Sequence, residues 1–404
     1  MKYVVVLGDG MADWKSDKLG GKTCLEAAQT PNLDKLAPIS EAGLCKTVPD
    51  GLKPGSDVAN MSVLGFDPLK YYTGRSPLEA VSMGIDLKPT DVTLRCNLVT
   101  LSEGGAFDEK IMKDYSAGEI STAEATELIN FLKTHLDGDK FKLYAGISYR
   151  HCLVAANGVT GHELTPPHDI TDKPVTGHLP EGENAGVYLA MMKRSYDLLK
   201  DHPINAKRKA EGKNPANSIW LWGEGTKPAL GCFEAQRNLT GAIISAVDLV
   251  RGLGMLADMK IIDVAGATGD YNTDFEGKAN AAADALLGGT DFVYLHMEAP
   301  DECGHHGDYA HKVYSIEQID NKVIGTLLKR FKDAGEDFAM LVCPDHPTPC
   351  AIKTHVSEPV PYLLYTNKIN LSNGAKRYTE AEAAATGEYV ADGYRLIEKL
   401  LSIK

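Results

Sequence analysis

Hydrophobic residues along this chain form two kinds of run. Residues 3–7, 292–295 and 338–342 are unbroken apolar stretches of strand length, which predicts strands buried on both faces of a parallel sheet. Other segments carry apolar positions at helical spacing, and helices are expected over 122–136, 185–200, 239–253, 275–287 and 311–334. Thr30-Pro31 at one end and Gly43 at the other bracket a further helix. Two short helices are expected over 56–64 and 77–83. Strands alternating with helices in this way predict an α/β fold, doubly wound around a mostly parallel sheet.

The alternation is interrupted once. Strands over 93–101 and 109–113, a helix over 122–136, and strands over 140–145 and 150–156 read as a compact α+β unit of ferredoxin-like character. The expected organisation is a core domain of residues 1–88 and 181–404, with residues 89–180 inserted as a smaller cap. The helix over 185–200 and strands over 219–222 and 260–264 are assigned to the core. The proline-rich stretch 164–180 is the candidate hinge.

A carboxylate follows each of the three apolar strands by a few residues: Asp9, Asp301 and Asp345. In an open α/β sheet, ligands bind in the crevice beyond the carboxyl ends of the strands, so these three acids should converge. His305, His346 and His355 accompany them. Six oxygen and nitrogen donors exceed what one open catalytic ion needs and suit two divalent ions sharing a site. A pair of such ions implies phosphate chemistry. His306, Asp308 and His311 lie close enough in sequence to compete as ligands or to support them. The nucleophile is either water or a protein group, and Ser56 is the protein candidate. Pro54-Gly55 forces a turn, and Ser56 then opens a helix whose first N–H groups point at whatever its hydroxyl attacks. Without the acidic and imidazole cluster, Ser56 would read as a helix cap.

Six motifs in order, Gly8-Asp9-Gly10, Gly55-Ser56-Asp57-Val58-Ala59-Asn60-Met61-Ser62, Gly74-Arg75-Ser76-Pro77-Leu78-Glu79-Ala80, Arg95-Cys96-Asn97-Leu98-Val99-Thr100, Pro300-Asp301-Glu302-Cys303-Gly304-His305 and Pro344-Asp345-His346-Pro347-Thr348-Pro349, span nearly the whole chain. Together they resemble the archaeal-type, cofactor-independent phosphoglycerate mutases of the alkaline phosphatase superfamily. The resemblance implies an alkaline-phosphatase-like core. It also implies interconversion of 2-phosphoglycerate and 3-phosphoglycerate through a phosphoserine at Ser56, without 2,3-bisphosphoglycerate. Asp9, Ser56, Asp345 and His346 would hold one metal, and Asp301, His305 and His355 the other. Manganese, magnesium, cobalt and zinc all suit the mixed donor set.

A mutase must keep water from the phosphoserine while the glycerate reorients, which gives the inserted unit a role as a lid. Cations are then expected on it and at its junctions, and Arg75, Arg95, Arg150, His151 and Lys227 are the candidates for binding substrate. His151, His168 or Asp169 would act as acid or base toward the glycerate hydroxyls. A phosphomonoesterase or phosphodiesterase of the same superfamily shares every metal ligand and is the nearest rival. A non-catalytic metal-binding module is a further one.

Composition narrows the partners. Lys and Arg number 42 against 55 Asp and Glu, a net charge of −13, which leaves no basic footprint for nucleic acid. An anionic substrate must therefore be met by local cations. Eight cysteines without a pairing pattern read as reduced thiols. The chain opens directly on a strand, with no charged leader and no long apolar stretch, so the expectation is a cytoplasmic enzyme with no membrane partner. The sequence says nothing about oligomeric state.

Overall fold

The apolar run at the N-terminus becomes the strand Lys2–Gly8, all but its first residue buried, near the middle of an eight-stranded sheet in the computed structural model, which describes residues 1–404. Two compact units divide the chain. The larger comprises Met1–Tyr72 and Ala229–Lys404, and the smaller Thr73–Pro228.

In the larger unit Lys2–Gly8 pairs in parallel with Phe292–Met297 on one side and Phe338–Cys343 on the other. Gly241–Ile244 and Lys260–Ile261 continue the sheet beyond Phe292–Met297, also in parallel. On the other flank Val360–Thr366 alone runs against the rest: it pairs antiparallel with Phe338–Cys343 and with Glu41–Cys45, and Tyr389–Val390 closes the edge in parallel with Glu41–Cys45. The sheet is therefore mostly parallel and doubly wound, as expected. On one face Val4, Val6, Leu295 and Val342 pack with Ala279, Ala283, Ile316, Leu327 and Phe331 from the flanking helices in one buried cluster, and on the other face Val5, Leu7, Tyr294 and Leu341 are equally buried. Register places the functional residues. Leu7 stands opposite both His296 and Cys343, so the carboxyl ends of the three central strands lie level and Asp9, Asp301 and Asp345 leave the sheet at one edge.

The smaller unit is built on Val92–Leu101, which pairs antiparallel with Ser218–Thr226 on one edge and with Arg150–Ala155 on the other; Phe141–Tyr144 pairs beyond that. The helices Thr122–Leu136 and Gly186–Leu199 complete the β-α-β-β-α-β order of a ferredoxin-like unit. Its core joins Leu94, Cys96 and Leu98 to Leu128, Met192, Trp220 and Trp222.

Several expectations change. The 185–200 helix and the tryptophan strand belong to the smaller unit, because a split β-α-β sheet needs a second crossover and a fourth strand to cover the other edge of its central strand. The smaller unit accordingly runs wider at both ends than residues 89–180. The helix expected over 30–43 stops early: Pro31–Leu36 is helical, Ala37–Ile39 is one 3-10 turn, and Glu41–Cys45 is a strand. The helix expected over 239–253 splits into the strand Gly241–Ile244 and the helix Asp248–Leu256. A four-residue apolar run can join either pattern, and here parallel pairing with Phe292–Leu295 decides it. All eight cysteines are free thiols. No helix is long and apolar enough to cross a membrane.

Candidate metal centre and active site

Each donor reaches the carboxyl edge of the larger unit's sheet by a short local device. Asp9 follows Lys2–Gly8 directly, and Gly10 beside it adopts a φ of +60°. A Cβ on Gly10 would lie 2.6 Å from both Asp301 Oδ1 and Thr348 Oγ1, so only glycine admits this approach. Asp301 and His305 sit four residues apart on the helix Ala299–His306, hence on one face, with Pro300 in its first turn and Gly307 left-handed at its end. Asp345 and His346 follow Phe338–Cys343. Ser56 is the first residue of the helix Ser56–Val63.

Two groups of donors result, each with its ligand atoms within 4.8 Å of one another: Asp9, Asp345 and His346, and Asp301, His346 and His355. His346 belongs to both. Its Nε2 lies 3.2 Å from Asp345 Oδ2 and 3.7 Å from Asp9 Oδ1, and 3.1 Å from Ser56 Oγ. His305 Nε2 approaches Asp301 Oδ2 at 3.2 Å, and His355 Nε2 approaches Asp301 Oδ1 at 3.5 Å. All seven residues singled out in the sequence are therefore neighbours.

The electrostatics of the cluster ask for positive charge. Burial, then the charges of Asp345 and Asp301, push the Asp9 carboxyl well above its ordinary range. Asp9 Oδ1 is buried with no hydrogen-bond partner. His305 Nδ1 meets the Lys353 carbonyl at 3.1 Å, which can only accept, so Nδ1 carries a proton. Its Nε2 then points at a carboxylate and, 2.9 Å away, at the Nε2 of His355. A proton or a cation must stand among these atoms. In the bare protein it is a proton: the hydrogen bond to Asp301 raises His305 to about 9. Burial works to raise Asp301, but its hydrogen bonds with His305 and His355 prevail and hold it well below the usual carboxylate range. Burial lowers His346, leaving it neutral and able to donate a lone pair. The donor set thus fits divalent cations on both sides of His346.

Other histidines near this stretch do not join. His306 is exposed. His311 and Asp308 pair with each other at 2.6 Å, and Tyr271 stacks on the His311 ring. Cys303 is buried against Ser315, its thiol pushed up to about 11 by burial.

Sequence reasoning missed two supporting groups. His296 Nε2 lies 2.9 Å from Asp9 Oδ2, and its Nδ1 is 3.2 Å from Ser245 Oγ. Burial holds it to about 3, so it is neutral and donates to Asp9, fixing which oxygen stays free. Asn60 donates to Asp345 Oδ2 at 2.9 Å and accepts from Tyr294 at 2.8 Å. A histidine in the otherwise apolar strand Phe292–Met297 was the available signal.

In the smaller unit the expected cations gather around Glu79. Arg75 Nε and Arg95 Nε reach its two oxygens at 2.8 and 2.9 Å. Burial would raise Glu79, but Arg95, Arg75 and Arg150 together hold it below its ordinary value. Arg95 stacks over Trp222, and His168 packs edge-on to the same ring. His151 is buried, accepts from the Gly146 amide at 3.0 Å, and leaves Nε2 without a partner. Lys227, half-buried, makes no ion pair with this group.

Fold and site define an α/β protein with a carboxylate and imidazole centre suited to two divalent cations beside a serine hydroxyl, the class of arrangement that handles phosphoryl groups. A family model described as 2,3-bisphosphoglycerate-independent phosphoglycerate mutase matches residues 37–205. A probable 2,3-bisphosphoglycerate-independent phosphoglycerate mutase of Geobacter sulfurreducens is 48% identical over 401 residues, covering 99% of this chain and all of that one. The enzyme of that name from Methanosarcina barkeri is 49% identical over 384 residues, 95% of each chain. Among solved structures, a cofactor-independent phosphoglycerate mutase from Thermoplasma acidophilum matches along the full length of both chains, with 26% identity and a TM-score of 0.66. The chain belongs to the 2,3-bisphosphoglycerate-independent phosphoglycerate mutase family.

Proposed function

We propose that this protein interconverts 2-phosphoglycerate and 3-phosphoglycerate by passing the phosphoryl group through Ser56. The observation that carries the reading is the Ser56 hydroxyl, 3.1 Å from His346 Nε2 at the meeting point of both donor groups. Asp9, Ser56, Asp345 and His346 would hold one divalent ion, and Asp301, His305 and His355 the other. Bound there, manganese, magnesium, cobalt or zinc would neutralise the phosphoryl oxygens and make the serine hydroxyl more acidic.

The chain's own groups do the rest. Ser56 gives up its hydroxyl proton as Oγ bonds to phosphorus and the bond from phosphorus to one glycerate oxygen breaks, and the freed glycerate oxygen takes up a proton in balance. The glycerate turns, its other hydroxyl attacks the phosphoserine, and Ser56 is regenerated. Net hydrolysis does not occur provided water is excluded, the role we assign to the smaller unit. Arg75, Arg95, Arg150, His151 and Lys227 are proposed to bind the substrate's carboxylate and phosphate, since guanidinium forks match both. His151, His168 or Asp169 would exchange protons with the glycerate hydroxyls. Eight free thiols and a glycolytic substrate suit a reducing cytoplasm.

Incubation with 3-phosphoglycerate should yield 2-phosphoglycerate without free phosphate. Ser56→Ala should cut the rate by at least about 10³-fold while leaving the circular dichroism spectrum unchanged. Release of phosphate and glycerate would mark a phosphatase instead, and wild-type turnover by Ser56→Ala would remove the phosphoserine.

A further inference from the structure

The two donor groups are joined by a side chain that belongs to neither. Thr348 lies two residues past His346. Its hydroxyl hydrogen-bonds to Asp301 Oδ1 and lies 3.2 Å from His346 Nδ1. A hydroxyl has one hydrogen to give, and an ionised carboxylate can only accept. Asp301 would hold its cation as a carboxylate, with no hydrogen of its own to give. The threonine hydrogen therefore goes to Asp301, and the same oxygen must accept from His346. That requires the proton on Nδ1 and leaves the Nε2 lone pair facing Ser56, Asp9 and Asp345. The partner of one imidazole nitrogen decides which nitrogen can bind a metal.

The threonine is gripped on every side. A Cβ on Gly304 would lie 2.8 Å from its Cγ2 and 2.6 Å from its carbonyl oxygen, and a Cβ on Gly10 would lie 2.6 Å from its hydroxyl. Lys312 Nζ, wholly buried, donates to the Thr348 carbonyl at 2.8 Å and to the Ala12 carbonyl at 3.2 Å. The two glycines thus make room for the hydroxyl and the methyl, and the buried lysine holds the backbone of the same residue.

We infer that Thr348 is a positioning residue that sets the tautomer of His346 and the aim of Asp301 together, so that both cation sites form as a unit. The inference rests on the two-cation reading above. It goes beyond that reading in making one hydroxyl, outside the ligand set, the condition for both sites.

Manganese binding to the substrate-free protein, followed by electron paramagnetic resonance, tests it. Thr348→Val keeps the shape and loses the hydroxyl, and should weaken binding at both sites by about 10- to 100-fold. Thr348→Ser restores the hydroxyl and should bind close to wild type. Two ions bound at wild-type affinity by Thr348→Val would overturn the inference and leave the two-cation reading standing. No manganese bound by the wild-type protein would overturn both. A third measurement needs no variant at position 348: nitrogen-15 shifts of the metal-free wild-type protein, with His346 assigned by its loss in His346→Gln, should show the Nδ1–H form. An Nε2–H form would contradict the inference even if Thr348→Val failed to fold.

Discussion

Asp9 keeps one oxygen free because His296 holds the other, and that division of labour makes a carboxylate buried among two more acids useful. His296→Leu should weaken manganese binding by about 10- to 100-fold while Ser56 stays in place. His296→Gln, which keeps an N–H donor, should recover part of it. Equal affinity for all three proteins by calorimetric titration would show that Asp9 needs no such support. Lys312 and Asp13 form an ion pair at 2.9 Å with side-chain exposures of 0% and 1%. Removing one member strands the other, so Lys312→Met should cost about 3–5 kcal/mol in urea denaturation. A loss below 1 kcal/mol, roughly what an exposed pair is worth, would mean that Asp13 is satisfied by its other partners. At this scale the sequence was informative about charge and mute about support. Asp9, Asp301, Asp345 and the three histidines announced themselves as polar groups just past apolar strands. His296 and Asn60 act on acids hundreds of residues away, and Thr348 joins its near neighbour His346 to an acid 47 residues away, a link that sequence does not show.

Among the elements, those with a long, unambiguous period were legible. Thr122–Leu136 and Phe275–Leu287 form helices over the expected residues, and the three strands carrying the acids lie where unbroken apolar runs put them. Short mixed segments were not. Gly241–Ile244 is a strand because a parallel neighbour recruits it, and Val360–Thr366 was not anticipated despite its burial. The unit boundary moved for the same reason: whether Ser218–Thr226 extends one sheet or the other is settled by pairing to Val92–Val99, which sequence spacing does not reveal. An excised fragment of residues 73–228 should therefore fold with a cooperative thermal transition, whereas residues 89–180 should not. The shorter piece lacks Met192, Trp220 and Trp222 from its core and leaves one edge of Val92–Leu101 bare. Cooperative unfolding of the shorter fragment alone would return the boundary to the narrower one.

For the whole molecule, acid is the condition under which buried neutral histidines become costly. His151 in the smaller unit is held by burial to about 3, so its folded-state value lies below the value near 6.5 of an exposed histidine. The unfolded chain therefore takes up a proton first as pH falls, and the stability owed to keeping His151 neutral is present above about 6.5 and lost progressively toward 3. One such proton changes stability by about 1.4 kcal/mol per pH unit. His151→Asn, whose side-chain oxygen can still accept from the Gly146 amide, should flatten the slope by that amount between pH 6 and about 4. Trp220 and Trp222 report on this unit by fluorescence, and an unchanged slope would show that His151 is free to protonate in the folded state.

In the proposed reaction the phosphoryl group rests on Ser56 between the two half-reactions. Acid quenching of the manganese-loaded protein during turnover of 3-phosphoglycerate, followed by peptide mass spectrometry, measures this directly. The expected result is a phosphoryl group on Ser56, absent without substrate and absent in Ser56→Ala. Turnover with the phosphoryl group on another residue, or on none, would contradict it.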